Sequence, residues 1–521
     1  MNRTFNIAGP CDPKWHYMLD SKQRLNGEVM PLIDNRQYFV IHAARQSGKT
    51  TLLFELTDQL HKMNKYYTLY CSLENAYGLI DAEKGILSII NAVKITLENQ
   101  GLPHASDFGN NATLIDFTNS LQKSFTDYCR SLDKPLIVFF DEVDCLSNQT
   151  LISFLRQLRN GYVSRRQTPF ISSLALVGMR NIRDYRDEYR LPEHTLGTSS
   201  PFNIAAASMT LRNFTEKEVE DLYYQHTMET GQIFDKDAVS LAWRQTQGQP
   251  WLVNAIAQEI VIKMTADDPR RAITGEMVSS AIKTLILRRD THFDSLYARL
   301  REDRVRNVIE PVLTGDMGKL IIDSDDYLYV KDLGLIRDDL GKIEPANPIY
   351  GDIIVRDLNK TTEKEMESIG IQNQIPRYLK GGAVNMDCLL SDFQVFWREN
   401  SDIWRKKYDY QEAAPQLILQ AFLQKILNGG GQIIREMAAG TGRADLCVVY
   451  RDKKYPIEMK IRHGDNTYTA GTEQILEYMD TLGCNKGWLV VFDQRVTLSW
   501  DERLFSKEVN ADGKIVAVYG C

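Results

Sequence analysis

Four consecutive residues, Ser47-Gly48-Lys49-Thr50, restrict the fold more than any other stretch, because an apolar run (38–44, YFVIHAA) precedes them and a helical pattern (50–63) follows. The run reads as a strand buried on both faces. In the pattern, Leu52, Leu53, Leu56 and Leu60 fall on one stripe at helical spacing. A strand that turns through glycine into a helix points backbone N–H groups and a helix N-terminus at one place, where a phosphate can sit. Lys49 is then placed to set its ammonium on the β- and γ-phosphates of a nucleoside triphosphate, and Thr50 to offer its hydroxyl to Mg²⁺. Ser47, Gly48 and Thr51 complete the cradle. Ala43 stands where the pattern G-x-x-x-x-G-K-[ST] opens with glycine, so the first turn of the loop departs from that pattern while its Gly-Lys-Thr end is intact.

A second run, Leu136-Ile-Val-Phe-Phe140, ends in Asp141-Glu142, as expected of a central parallel strand that delivers carboxylates at its C-terminal edge. Asp141 is expected to hold the magnesium through water, and Glu142 to orient or deprotonate the attacking water. A third run, 171–177, leads into Gly178-Met179-Arg180, where Arg180 can report on the γ-phosphate. The region opened by Leu211-Arg-Asn-Phe-Thr-Glu is helical and contains the turn Gln247-Gly248-Gln249-Pro250-Trp251, which suggests a small helical lid.

This order of motifs resembles the AAA-like ATPases of the STAND and archaeal-type group. The resemblance implies ATP as ligand, an adenine pocket built partly from the stretch 6–18, and a winged-helix module after the lid. Three segments follow: a P-loop ATPase core at 1–205, the lid at 206–279 and the winged helix at 280–358.

A chain of 521 residues is too long for one core. Its formal charge of −7 excludes a uniformly basic nucleic-acid coat and leaves only local patches for such contacts. The eight cysteines form no CxxC pair and no Cys/His cluster, which argues against a disulfide framework or a zinc site and for the reducing cytoplasm. No stretch is apolar enough for a membrane span or a leader. Residues 359–394 are read as a linker because they are charged and punctuated by Pro376, Gly381 and Gly382.

After the linker, a helical pattern at 408–428 precedes three strand-like runs: Gln432 to Met437, Ala444 to Tyr450 and Tyr455 to Ile461. The last two suggest a hairpin centred between Asp452 and Lys453. That register makes Asp445 and Glu458 diagonal neighbours on one face, roughly 7–8 Å apart. Two carboxylates there suit a hard cation, Mg²⁺ or Mn²⁺, which polarises a phosphate and acidifies a bound water. Lys460, two residues beyond Glu458, shares its side of the strand. Gln474 and Tyr478 are four apart and so share a helix face. The set resembles the PD-(D/E)XK nuclease superfamily in its RecB-like branch. That resemblance spans 395–521, with Ala444 at the family's proline, and implies Glu412 as the acidic residue of the first helix. His463 reads as solvated, Arg156, Arg159, Arg165 and Arg166 as an exposed helix face or a contact face, and Trp397 and Trp404 as core.

The expected architecture is α/β: a doubly wound parallel sheet with a P-loop, a helical lid and a winged-helix module, then a restriction-endonuclease-like α/β domain. The expected function is an ATP-regulated, metal-dependent nuclease on nucleic acid, DNA preferred, in a homo-oligomer with no membrane partner. The type of fusion suggests defence against foreign DNA. The alternatives are a STAND-type signalling switch whose C-terminal domain binds but does not cut, and an ATP-driven remodeller.

Overall fold

The computed structural model describes residues 3–110, 117–179, 203–288, 291–314, 320–339, 341–354, 357, 378–380, 383–407, 418–420, 422–423, 431–439, 442–451, 453–462, 467–493, 499–511 and 513–521. Two compact units divide the chain: Met1–Ile309 with Ile321–Tyr350, and Glu310–Leu320 with Gly351–Cys521.

The first unit is built on five parallel strands, β1 (Tyr38–His42), β2 (Tyr67–Ser72), β3 (Leu136–Asp141), β4 (Ser173–Gly178) and β5 (Ala205–Thr210), in the order β2-β3-β4-β1-β5. The near-continuous apolar sequence of β1, β3 and β4 follows from helices covering both faces of the sheet. On one face α1 (Val29–Asp34) and α2 (Lys49–Met63) pack Ile33, Leu52, Leu53, Leu56 and Leu60 against Phe39, Ile41, Ile137, Phe139 and Val177. On the other, α3 (Ala82–Asn99), α4 (Phe117–Ser131) and α5 (Asn148–Ser164) bring Ile86, Ile89, Val93, Phe125, Phe154 and Leu158 onto Tyr38, Val40, Val138, Phe140 and Leu174. Each such leucine or isoleucine stabilises the fold by about 1.5–3 kcal/mol relative to exposure. Truncating fully buried Leu56 to alanine removes that term and leaves a cavity.

Register aligns the functional ends. His42 pairs with Gly178, and Ser72 with Asp141, so the C-terminal ends of β1, β2, β3 and β4 lie along one edge of the sheet. Beyond β5 come α6 (Glu216–Thr230), α7 (Lys236–Thr246), α8 (Pro250–Gln258) and α9 (Gly275–Arg288). The turn into α8 is forced: Gln247 and Gly248 have φ of 48° and 70°, Gln249 caps the helix by accepting from the Leu252 N–H, and Pro250 opens it. A β-carbon on Gly248 would lie 1.8 Å from the Phe214 carbonyl oxygen, so only glycine fits. Then follow α10 (Thr291–Arg299), α11 (Asp303–Thr314), α12 (Asp325–Asp332) and an antiparallel hairpin of β6 (Ile336–Asp339) and β7 (Lys342–Pro345).

In the second unit a short ribbon, β8 (Leu379–Lys380) with β9 (Ala383–Val384), leads into α13 (Met386–Lys407). Residues 386–394, assigned to the linker from sequence, open this helix instead and bury Met386, Leu389, Leu390 and Phe393 in the core. Their 3.6-residue spacing is short, and the charged segment before them conceals it.

Six strands form a mixed sheet in the order β10-β11-β12-β13-β15-β14. They are β10 (Gly431–Ala439), β11 (Gly442–Tyr450), β12 (Lys453–Arg462), β13 (Lys486–Asp493), β14 (Phe505–Ala511) and β15 (Lys514–Gly520). α13, with Trp397, covers the face that presents Leu446, Val448, Ile457 and Val490. α14 (Thr467–Leu482) covers the other with Ile475, Tyr478 and Met479 against Leu489 and Val491. Among the described residues no helix is long and apolar enough to cross a membrane.

Candidate functional site: two carboxylate–lysine centres

In the first unit the loop after β1 enters α2 through Gly48, whose φ of 91° lets the chain double back. Lys49 donates from Nζ to the carbonyls of Ala43 and Ala44, each at 2.9 Å. Thr50 donates from Oγ1 to Asp141 Oδ2 at 2.7 Å. Asp141 is 1% exposed, and also accepts from the Glu142 N–H at 2.9 Å and the Tyr70 hydroxyl at 3.4 Å. Burial raises its pKa, while Thr50 and Lys49 pull it down. Burial lowers the pKa of Lys49, while Asp141, Asp144 and Glu142 oppose this.

Glu142 has a left-handed backbone (φ 58°), and its Oε2 accepts from Ser72 Oγ at 2.8 Å. Asp144 accepts from the Met179 N–H and lies so close to Gly178 that a β-carbon there would fall 2.4 Å from Oδ2. Lys49, Thr50, Asp141 and Glu142 thus meet at one edge, where a hydroxyl and a carboxylate in contact form a donor pair suited to a hard cation. Thr51 points elsewhere, accepting from the Cys11 N–H at 3.0 Å. Arg180 lies outside the described residues.

Sequence reasoning missed the groups that hold this loop. Arg24 donates from Nη2 to the Ser47 carbonyl at 2.8 Å. Gln249 Nε2 reaches the carbonyls of Arg45 and Gln46, both at 3.5 Å. His292, stacked on Trp251 at 4.5 Å, hydrogen-bonds Gln46 and, at 2.6 Å, the Tyr350 hydroxyl. The N-terminal stretch expected at the adenine is tied to α2 through Cys11 and to the lid through the Ile7 carbonyl, which accepts from Trp251 Nε1 at 2.9 Å.

In the second unit β12 carries Glu458, 1% exposed, and Lys460, whose Nζ lies 2.6 Å from Glu458 Oε1. Both positions lie on the α14 side of the sheet, since Glu458 pairs with Leu489 and Lys460 with Val491. α14 approaches closely because Gly471 has no side chain: a β-carbon there would lie 2.8 Å from Leu489 Cδ1 and 3.2 Å from Lys460 Cγ. From α14, Tyr478 is buried, and Gln474 carries a buried Oε1 with no hydrogen-bond partner among the described residues. Two residues past Lys460, Arg462 donates to Asp493 at 3.4 Å and to the Tyr468 hydroxyl at 3.2 Å.

The hairpin register differs from the expected one by two residues. Tyr450 pairs with Lys453 and Leu446 with Ile457, so the turn is centred between Arg451 and Asp452. One further step of this ladder sets position 445 directly opposite Glu458, where Cβ atoms of antiparallel neighbours lie about 4.5–5.5 Å apart. The same step on the other side sets position 445 opposite 436, a glutamate. Arg451 takes the positive φ (53°) that a two-residue turn requires, and this tight closure selects the register. The side chain of Asp445, and Glu412 and His463 altogether, lie outside what the structure describes. Among the described residues no three His, Cys, Asp or Glu side chains converge as a ready-made metal cage.

The parallel sheet, the Gly-Lys-Thr turn and the Thr50–Asp141 contact define a P-loop ATPase in the first unit. Residues 30–352 match the model of the AAA-like domain family, and the chain belongs to that family. Residues 393–495 match a domain of unknown function. No curated protein matches the chain.

Similar solved structures include a Walker-type ATPase of Pyrococcus abyssi, at 13% identity over 67% of this chain and 99% of that one, with a TM-score of 0.46. The ORC2 protein of Aeropyrum pernix shares 14% identity over 65% of this chain and 91% of its own, with a TM-score of 0.41. The RuvB branch migration motor of Thermotoga maritima shares 12% over 59% and 84%, with a TM-score of 0.32.

Proposed function

We propose that the chain is an ATP-regulated nuclease: the AAA-like unit binds and hydrolyses ATP, and its nucleotide state governs cleavage of nucleic acid, DNA preferred, at the β11–β12 hairpin. The observation that carries the reading is the contact at 2.6 Å between Lys460 and the buried Glu458, with position 445 one ladder step away. A carboxylate as deeply buried as Glu458 needs a cation beside it.

The residues suit a divalent cation. Glu458 and Asp445 would hold Mg²⁺ or Mn²⁺, and Gln474, one helical turn beyond Gly471 on α14, carries a buried Oε1 with no hydrogen-bond partner among the described residues. Such an ion, when bound, supplies Lewis-acid polarisation of the scissile phosphate. Lys460 then hydrogen-bonds the attacking water and offsets negative charge as the phosphorus becomes five-coordinate. Tyr478 and Gln474 keep α14 seated over the pair. In the first unit, Thr50 and Asp141 would hold the magnesium of Mg·ATP, Lys49 would bind the terminal phosphates and Glu142 would orient water.

Assembly into a homo-oligomer and a role in defence against foreign DNA belong to the same proposal and rest on the type of fusion alone. The deciding experiment incubates purified protein with single- and double-stranded DNA and RNA, with and without ATP and Mg²⁺ or Mn²⁺. Cleavage that disappears in Lys460→Ala, with nucleic-acid binding retained, supports the reading. Binding with no cleavage of any substrate in the wild type leaves a nucleotide-driven signalling switch.

A further inference from the structure

Arg24 closes the short helical turn Ser21–Arg24 and is 2% exposed. Its guanidinium is fully engaged on one side: Nε and Nη2 donate to the Arg212 carbonyl at 3.0 and 2.7 Å, and Nη2 also donates to the Ser47 carbonyl at 2.8 Å. The plane lies 4.6 Å over the Phe214 ring. The other amino group, Nη1, is 3.3 Å from where a β-carbon on Gly48 would stand, and no described residue accepts a hydrogen bond from it.

Among the described residues no carboxylate is bonded to this buried cation. Glu218, the strongest opposing charge, is held by Arg212 at 2.6 and 2.9 Å, and Glu55 accepts from the Ser21 N–H at 2.9 Å. Burial lowers the arginine only to about 10, so it carries its charge at neutral pH. A buried guanidinium with no bonded carboxylate among the described residues is costly, and it is hydrogen-bonded to a loop whose purpose is to hold a polyanion.

We propose that Arg24 is a positioning residue for the triphosphate. In a planar trans peptide the carbonyl and the following N–H point opposite ways, so drawing the Ser47 oxygen toward Arg24 turns the Gly48 N–H away from it, toward the phosphates. The phosphates in turn balance the guanidinium charge. The same contacts join the loop to Arg212 and Phe214, where the chain leaves β5 for the lid.

The test uses the full-length chain with Arg24→Met and Arg24→Lys, measuring the ATP dissociation constant, KM and kcat beside thermal stability. With Arg24→Met, KM and the dissociation constant for ATP rise about tenfold or more while kcat falls much less, as expected when binding is lost without loss of the reacting groups. Arg24→Lys restores the charge but not the fork, and recovers part of that affinity. A Met variant that melts lower yet binds ATP as the wild type does overturns the proposal, because Arg24 is then only a tie within the fold. If the Met variant does not fold, Arg24→Lys decides: weaker ATP binding supports the proposal, and unchanged binding overturns it.

Discussion

The two centres both pair a buried carboxylate with a lysine, but they keep the charges in opposite arrangements. In the AAA-like unit Asp141 is satisfied by neutral donors, Thr50, Tyr70 and a backbone N–H, while Lys49 rests on two neutral carbonyls. In the second unit Lys460 closes directly on Glu458 at 2.6 Å. An ammonium on neutral carbonyls can exchange them for phosphate oxygens at little electrostatic cost. An ammonium on a buried carboxylate cannot leave unless another cation takes its place. The first centre is thus preset for an anion, whereas the second holds its lysine against its own carboxylate, and under the proposed function a metal ion would have to take the place of that ammonium.

The strongest way to break this contrast is at the lysines. Lys49→Ala is expected to reduce ATP turnover by at least about 10²-fold and to weaken ATP binding, because the groups on the terminal phosphates are the main electrostatic term; a turnover assay with ATP titration checks both. Retained ATP affinity would sink the phosphate-site assignment. Cleavage in this variant should lose its response to ATP, either silenced or deregulated, if nucleotide state governs the second centre.

Lys460→Ala is expected to lower metal-dependent cleavage by a comparable factor of about 10² or more while leaving ATP turnover unchanged. A gel-based cleavage assay run beside an ATPase assay on the same preparation separates the two. Loss of both activities together would mean that the units fail as one body, and the contrast between them would lose its meaning.

Stability sharpens the comparison further. Removing Lys460 takes the ammonium at 2.6 Å away from a carboxylate that is 1% exposed, so the second unit should lose about 2–4 kcal/mol of stability to denaturant, somewhat less than for a fully buried pair because the lysine is 26% exposed. Removing Lys49 leaves two carbonyls without their donor and takes a cation from the vicinity of Asp141, which keeps its hydrogen bonds from Thr50, Tyr70 and the Glu142 N–H, and about 1–2 kcal/mol is expected. Equal losses would erase the proposed difference between the arrangements.

How far the sequence discloses these centres follows the same physics. Lys49, Thr50 and Asp141 are legible because each ends or begins an apolar run of the right length, so the strand that delivers it can be read directly. The α13 start at Met386 is concealed by charges upstream. The hairpin register is missed by two residues because strand alternation has period two: such a slip leaves every side chain on its own face, and only the φ of Arg451 decides. Arg24 and Gln249 are illegible for another reason. They act on backbone carbonyls 23 residues or more away, and a carbonyl leaves no mark in the sequence.

The smallest expected effect concerns Glu55, a neighbour of Arg24 on the AAA-like side. Burial raises its carboxyl to about 7 from an ordinary 4.5, despite the hydrogen bond from Ser21. In the folded chain Glu55 therefore keeps its proton to higher pH than in the unfolded chain. Its stabilising contribution is complete below about 4.5 and fades as pH rises through about 7, since the folded state binds more protons across that window. Glu55→Gln, which cannot ionise and keeps an oxygen for the Ser21 N–H, should remove that loss. The melting temperature of the first unit, followed by calorimetry from pH 5 to pH 8, should then fall less with rising pH than in the wild type, by about 1–2 °C given the partial exposure of the group. Parallel curves for the two proteins would show that Glu55 ionises normally, and that Arg24 has a charged carboxylate near it after all.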